Sequence, residues 1–187
     1  STRVRSSAAS DVYKRQLLGF LATSIVFLRK YGYNLWLWFD LMMPSILFGL
    51  IILQLANFMM QFSLGTPLGL DIPNDHSLAE YVEYRYRPTG FEAYQYFQPV
   101  ALYQAFAYSI VFIISILCLL INRKYKFLAE GTVFLFSVIL MAIIRFGIGF
   151  MYFSVNKDML LYPMQWIALT VMIATVFIYV VKRFQHN

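Results

Sequence analysis

Charge is scarce in this chain. Asp, Glu, Lys and Arg together make up 13% of its 187 residues, about half the share usual in soluble domains. Cysteine is almost absent: Cys118 stands alone in an apolar segment, which excludes a disulfide framework and a cysteine metal cluster. Of the two histidines, His76 has no second histidine or cysteine at ligand spacing and His186 carries no signal, so no metal site is expected. No P-loop, dinucleotide glycine fingerprint, HExxH or GxSxG occurs; the commonest nucleotide and hydrolase chemistries are therefore without support, and no cofactor is expected. The net charge of +6 does not indicate nucleic acid, because the basic residues lie at the ends of apolar runs, where membrane topology accounts for them.

Apolar sequence is abundant: 60% of the residues are hydrophobic and 19% aromatic. Five segments stand out. Leu17–Leu28 is short for a bilayer span, whereas Trp36–Phe62, Pro99–Ile121, Gly131–Phe153 and Leu161–Val181 are all long enough. The fold expected is an all-α, polytopic transmembrane bundle of about five spans. Arg29, Lys30, Arg123, Lys124, Lys126, Lys182 and Arg183 fall on one side, while the other carries Arg85, Arg87 and Lys157 among six acids, Asp71, Asp75, Glu80, Glu83, Glu92 and Asp158. The positive-inside rule then puts the C-terminus in the cytoplasm and the polar stretch Ser63–Gln98 outside, as a head inserted in a membrane domain of residues 17–187. Trp36, Trp38, Tyr152, Tyr162 and Trp166 lie at segment ends, as interfacial aromatics do. Ser1–Gln16 breaks the pattern. It reads as a translated cloning or adaptor junction, with the natural chain starting near Leu17 and truncated within a span.

The head is expected to be small and irregular or β-rich, since Pro67, Gly69, Pro73, Pro88 and Gly90 punctuate it too closely for long helices. Tyr81–Arg87 alternates like a strand, with Tyr81, Glu83, Arg85 and Arg87 on one face.

The informative residue is Arg145, the sole ionisable side chain in Gly131–Phe153 apart from Tyr152 near its end. An arginine at that depth costs at least about 3 kcal/mol on insertion scales, so it needs a partner, a wet cavity or a polar ligand. Amides and other polar groups accompany it in or beside the spans: Asp40, Gln54, Asn57, Gln61, Gln98, Tyr103, Gln104 and Gln165. Gln54, Asn57 and Gln61 share one helix face by their i, i+3, i+7 spacing. Each amide alone is ordinary helix-to-helix glue. Around a guanidinium, which grips phosphate bidentately, the set suits an anionic lipid headgroup. A small transporter is disfavoured, for want of an internal repeat or a pair of broken helices.

The order of motifs resembles the prolipoprotein diacylglyceryl transferase family from about Leu17 to the C-terminus. Leu17-Leu18-Gly19, Arg29-Lys30 and Trp38-Phe39-Asp40-Leu-Met-Met-Pro44 follow the family's run from its histidine-glycine-glycine motif to its Asp-Leu-x-x-Pro element, and Gly49 falls at the family spacing. The signature GRIGNFxNGExYG is matched by Leu53–Gly65, keeping Asn57, Phe58 and Gly65. The HPxQLYE element is matched by Gln98–Gln104, keeping Pro99, Leu102 and Tyr103. Glu130-Gly131 resembles the glycine that opens the next span. Ile144-Arg145-Phe146 matches the Arg-Phe of YGxxRFxxExxR, and Met164-Gln165-Trp166 the GQW element.

The resemblance implies a bacterial cytoplasmic-membrane enzyme that uses phosphatidylglycerol. It would pass a diacylglyceryl group to the cysteine thiol of a prolipoprotein lipobox peptide. Arg145 would face the phosphate as the catalytic residue, with Asn57, Tyr103, Gln54, Gln98 and Gln165 contacting the lipid or positioning it. The departures matter as much. The signature arginine is Gln54, the signature glutamate Phe62, the histidine before proline Gln98, and the glutamate four residues after the key arginine Gly149. Two readings follow: a divergent enzyme with a rewired site, or a catalytically degenerate homologue that acts as a lipid-binding or scaffolding membrane protein.

Overall fold

The computed structural model describes residue 16 and residues 19–61, 64–69, 78–88, 90–152 and 163–186. The expectations for Ser1–Arg15, Asp71, Asp75, His76, Asp158 and Tyr162, and for the side chain of His186, lie outside the described residues. A first helix, α1 (19–30), precedes four long ones: α2 (Leu35–Met59), α3 (Val100–Tyr125), α4 (Thr132–Ile148) and α5 (Pro163–His186). These four are long and apolar enough to cross a bilayer, so the protein is an all-α, multi-pass membrane protein as its composition predicts. Asn34 starts α2 by accepting the Trp36 amide at 2.9 Å, which satisfies one of the donors left open in a first turn. Pro44 lies inside α2, where it removes the bond that would run to the Asp40 carbonyl.

The helices pack α2 on α3, α3 on α4 and α4 on α5, with α2 also touching α4. Met43, Leu47 and Val111 form the buried centre, flanked by Phe112, Phe134, Val138 and Met141. Small residues, namely Ala101, Ala105, Ser115, Ser137, Ala142 and Ala168, occupy other buried positions. This is the pattern of helices that associate in lipid, where close backbone approach replaces the hydrophobic effect. Large apolar side chains such as Phe48, Ile52, Phe106, Leu117 and Phe177 point outward, which fits a lipid-facing surface.

Between α2 and α3 the chain forms a small head. Strands β1 (Pro67–Gly69), β2 (Glu80–Tyr81) and β3 (Tyr96–Phe97) pair antiparallel in the order β1-β3-β2. The strand expected over Tyr81–Arg87 is confined to its first residue, and Tyr84–Tyr86 is a 3-10 turn instead. Arg87 explains the difference. Its guanidinium reaches back to the carbonyls of Val82 at 2.9 Å and Glu92 at 2.8 Å, closing a loop that an extended strand could not make. Gln61 anchors the head to α2, donating to the Tyr81 carbonyl at 2.8 Å and accepting the Glu83 amide at 3.3 Å. A bridge between Gly65 and Tyr152 ties the head to the end of α4.

Candidate functional site

At the head-side end of the bundle, a groove of about 580 Å³ opens between α2, α3, α4 and α5. Most of its wall is apolar, including Leu50, Leu53, Val138, Met141, Ile167 and Val171. Its polar members are Gln54, Tyr108 and Arg145. Arg145 lies about 9 Å short of the Met151 end of its span, at 1.5 Å rise per residue, and is half-buried. It donates to the Met164 sulfur at 3.8 Å, a weak acceptor. Among the described residues the ion pair found is Arg85–Glu83, in the head; no carboxylate neutralises Arg145 there. A cation at that depth calls for a partner, a water-filled cavity or a polar ligand.

The amides order this wall. Asn57 donates to the Gln54 carbonyl oxygen at 3.1 Å, one turn apart on α2, so Gln54 is fixed against the groove with its own N–H2 still able to donate. On α3, Gln104 is fully buried. Its amide donates to the Tyr108 hydroxyl at 2.8 Å, and its carbonyl oxygen accepts the Tyr152 hydroxyl at 3.0 Å. Because Tyr108 accepts from Gln104, its own proton can be given to a ligand in the groove. Tyr108 and Tyr152 are absent from the sequence-derived site. The signal that could have found Tyr108 is its i, i+4 spacing from Gln104 on one helix face.

The other expected residues sit apart from the groove wall. The Tyr103 hydroxyl donates to the Leu78 carbonyl at 3.5 Å, joining α3 to the head. Gln98 runs along the head floor, its backbone exchanging bonds with Gly65 at 3.0 Å and Thr66 at 3.1 Å. Gln165 is fully buried and donates to the Phe146 carbonyl at 3.3 Å, clasping α5 to α4. Gly149 makes that clasp possible: a Cβ there would come within 2.6 Å of the Gln165 Cγ. The position where the resemblance puts a glutamate is therefore filled from the neighbouring helix.

At the opposite end of the bundle, Asp40 is almost fully buried. Its two carboxylate oxygens accept the backbone amides of Gly131 at 2.6 Å and Phe134 at 2.7 Å. Gly131 is the N-cap of α4 and has no side chain to cap with, so α2 supplies the missing acceptor and a negative charge at the positive helix end. Glycine is required there: its φ is +82°, and a Cβ would meet the Trp36 ring at 2.5 Å and the Lys182 Nζ at 2.8 Å. The head holds a second buried carboxyl, Glu80, whose Oε2 has no hydrogen-bond partner among the described residues. Burial pushes its pKa up to about 7. Glu92, by contrast, accepts the Gly90 amide at 3.0 Å and is held below the usual carboxylate range.

The profile of the prolipoprotein diacylglyceryl transferase family matches residues 16–181. This chain belongs to that family. It is 28% identical over 170 residues to the phosphatidylglycerol–prolipoprotein diacylglyceryl transferase of Shouchella clausii (strain KSM-K16), a match covering 89% of this chain and 57% of that relative. The chain thus spans little more than half the length of that protein. No solved structure matches it.

Proposed function

We propose that this protein is a phosphatidylglycerol–prolipoprotein diacylglyceryl transferase of the bacterial cytoplasmic membrane. Its head would face outward and its C-terminus the cytoplasm. The observation that carries the reading is Arg145, a cation without a carboxylate partner among the described residues. It stands in an apolar groove beside two hydrogen-bond donors, Gln54 and Tyr108. Family membership and the named relative support the same chemistry.

In this reading the acyl chains lie against the leucine and valine wall, and the phosphodiester sits at Arg145. The lipobox thiol sulfur attacks the glycerol carbon of the diacylglyceryl group. A C–S bond forms, the C–O bond to phosphate breaks, and glycerol phosphate leaves with the bonding electrons and takes up the thiol proton. Arg145 stabilises the charge that gathers on the departing oxygen, which in a dry site is the largest single contribution available. Gln54 and Tyr108 orient the headgroup. Asn57, Tyr103, Gln98 and Gln165 position helices and head around it.

The second reading, a lipid-binding homologue without turnover, is favoured by Arg145 being the one cation lining the groove among the described residues: Gln54 stands where the family signature has arginine, and Gln165 fills the space beside Gly149. One experiment separates the two. The full-length protein in phosphatidylglycerol vesicles is given a lipobox peptide, and lipidated peptide is measured. Arg145-dependent product supports the transferase. Headgroup binding without product establishes the degenerate homologue.

A further inference from the structure

The end of the bundle opposite the head carries a larger cavity than the groove, about 920 Å³. It lies between the start of α2, the end of α3, the α3–α4 loop and the end of α5. Its composition is graded. Leu37, Leu41, Leu119 and Leu120 line the part within the helices, while Arg123, Lys126 and Lys182 stand where the helices end. This gradient, apolar wall and cationic rim, is the profile of a glycerophospholipid set into a bilayer, with its chains along the leucines and its phosphate at the cations.

Two acids share the cavity with the three cations and offset part of their charge, leaving the rim with an excess of positive charge. Asp40 directs both oxygens to the amides that open α4. Glu130 accepts the Asn34 amide. Lys182 is the telling group. Its Nζ is buried and has no hydrogen-bond acceptor among the described residues; it rests over the Trp36 ring at 4.3 Å. A buried ammonium stacked on an aromatic face still has donors to give, and the cavity is where an acceptor would stand. Arg123 and Lys126 are exposed beside it. We propose that this cavity is a binding site for an anionic phospholipid, separate from the Arg145 groove and held by Lys182, Arg123 and Lys126. The inference does not depend on the transferase reading, because Arg145 and Gly131 lie about 21 Å apart along α4.

Trp36 lines the cavity and supplies the test. The full-length protein, with Trp36 as its one remaining tryptophan, is placed in nanodiscs containing phosphatidylglycerol or phosphatidylcholine brominated near the glycerol. Phosphatidylglycerol is expected to quench Trp36 with at least about threefold higher apparent affinity than phosphatidylcholine. That preference disappears in Lys182→Met combined with Arg123→Gln and Lys126→Gln, and survives Arg145→Ala. Arg123→Gln with Lys126→Gln alone, two exposed changes that leave the packing untouched, removes part of it. Equal quenching by both lipids overturns the proposal, as does a preference that survives all three changes. Absence of quenching shows the cavity filled by protein, and loss of the preference on adding millimolar inorganic phosphate shows a soluble-anion site. Either result also overturns it.

Discussion

The two ends of this bundle treat buried charge in opposite ways. At the end away from the head, Asp40 gives both oxygens to backbone amides and Glu130 meets Asn34. At the head end, Arg145 has a thioether for a partner and the Glu80 Oε2 has none among the described residues. A charge with built-in partners is architecture, because removing it leaves those partners unsatisfied. One without them is a burden to the fold, and its removal is not expected to destabilise the protein. The comparison therefore sorts residues into those whose loss should unfold the protein and those whose loss should silence it.

The largest expected effect is on the silent side. Arg145→Ala should lower transfer to a lipobox peptide by about 10² to 10³, equivalent to roughly 3–4 kcal/mol of transition-state stabilisation, while the thermal midpoint in detergent stays unchanged or rises. Turnover at the wild-type rate in this variant would remove Arg145 from the mechanism. A lowered midpoint would move it to the architectural class and break the comparison.

Asp40→Ala should do the reverse. Two buried amides at the start of α4 lose their acceptor, for which about 2–3 kcal/mol of destabilisation is expected. Asp40→Asn, which keeps one acceptor, should recover part of it. Thermal unfolding of the purified variants measures both. An Asp40→Ala protein as stable as the parent would show that α4 does not need its borrowed cap.

Glu80 tests the same contrast through pH. Its pKa is raised from the ordinary 4.5 to about 7 by burial, so the folded state holds its proton more tightly than the unfolded chain. The stability is therefore complete below about pH 4.5, declines as pH rises from there to about 7, and is constant beyond. The upper bound of that decline is about 3 kcal/mol at 1.36 kcal/mol per unit, and roughly 2 kcal/mol is the expected figure. Glu80→Gln should flatten the profile and be the more stable protein at pH 8. Melting curves at pH 5 and pH 8 decide it; a parallel decline in parent and variant would assign the pH dependence elsewhere.

How far the sequence revealed this arrangement differs by element. The four long helices are legible because an apolar run of some 20 residues has few alternatives to spanning a bilayer, and Arg145 is legible because a charge there demands a reason. Asp40 is visible as a polar residue in a span, but its role is not: the amides it caps lie 91 and 94 residues away. The head departs from its sequence pattern at Tyr81–Arg87, where alternation suggests a strand; the bonds from Arg87 to the Val82 and Glu92 carbonyls that bend the chain leave no trace in a period. Gly149 reads as a lost glutamate, and only the packing of Gln165 against it shows that the space was taken over.

Tyr108 is the residue on which the two classes meet, and it carries the smallest predicted effect. Its hydroxyl accepts from the buried Gln104 amide, which is architecture, and the residue lines the groove, where a headgroup would take its proton. Tyr108→Phe keeps the ring and removes only the oxygen. The Gln104 amide then loses its acceptor inside the bundle, at a cost of about 1 kcal/mol or somewhat more. If that were the whole of the change, the midpoint would fall and the kinetics of the folded fraction would stay as they were. If the proton is also given to the headgroup, KM for phosphatidylglycerol should rise about five- to tenfold, one ordinary hydrogen bond, with kcat nearly unchanged because substrate and transition state lose the same contact. The split between KM and kcat thus assigns Tyr108 where the midpoint alone cannot. A fall in kcat at constant KM would instead place its hydroxyl on the departing phosphate, beside Arg145.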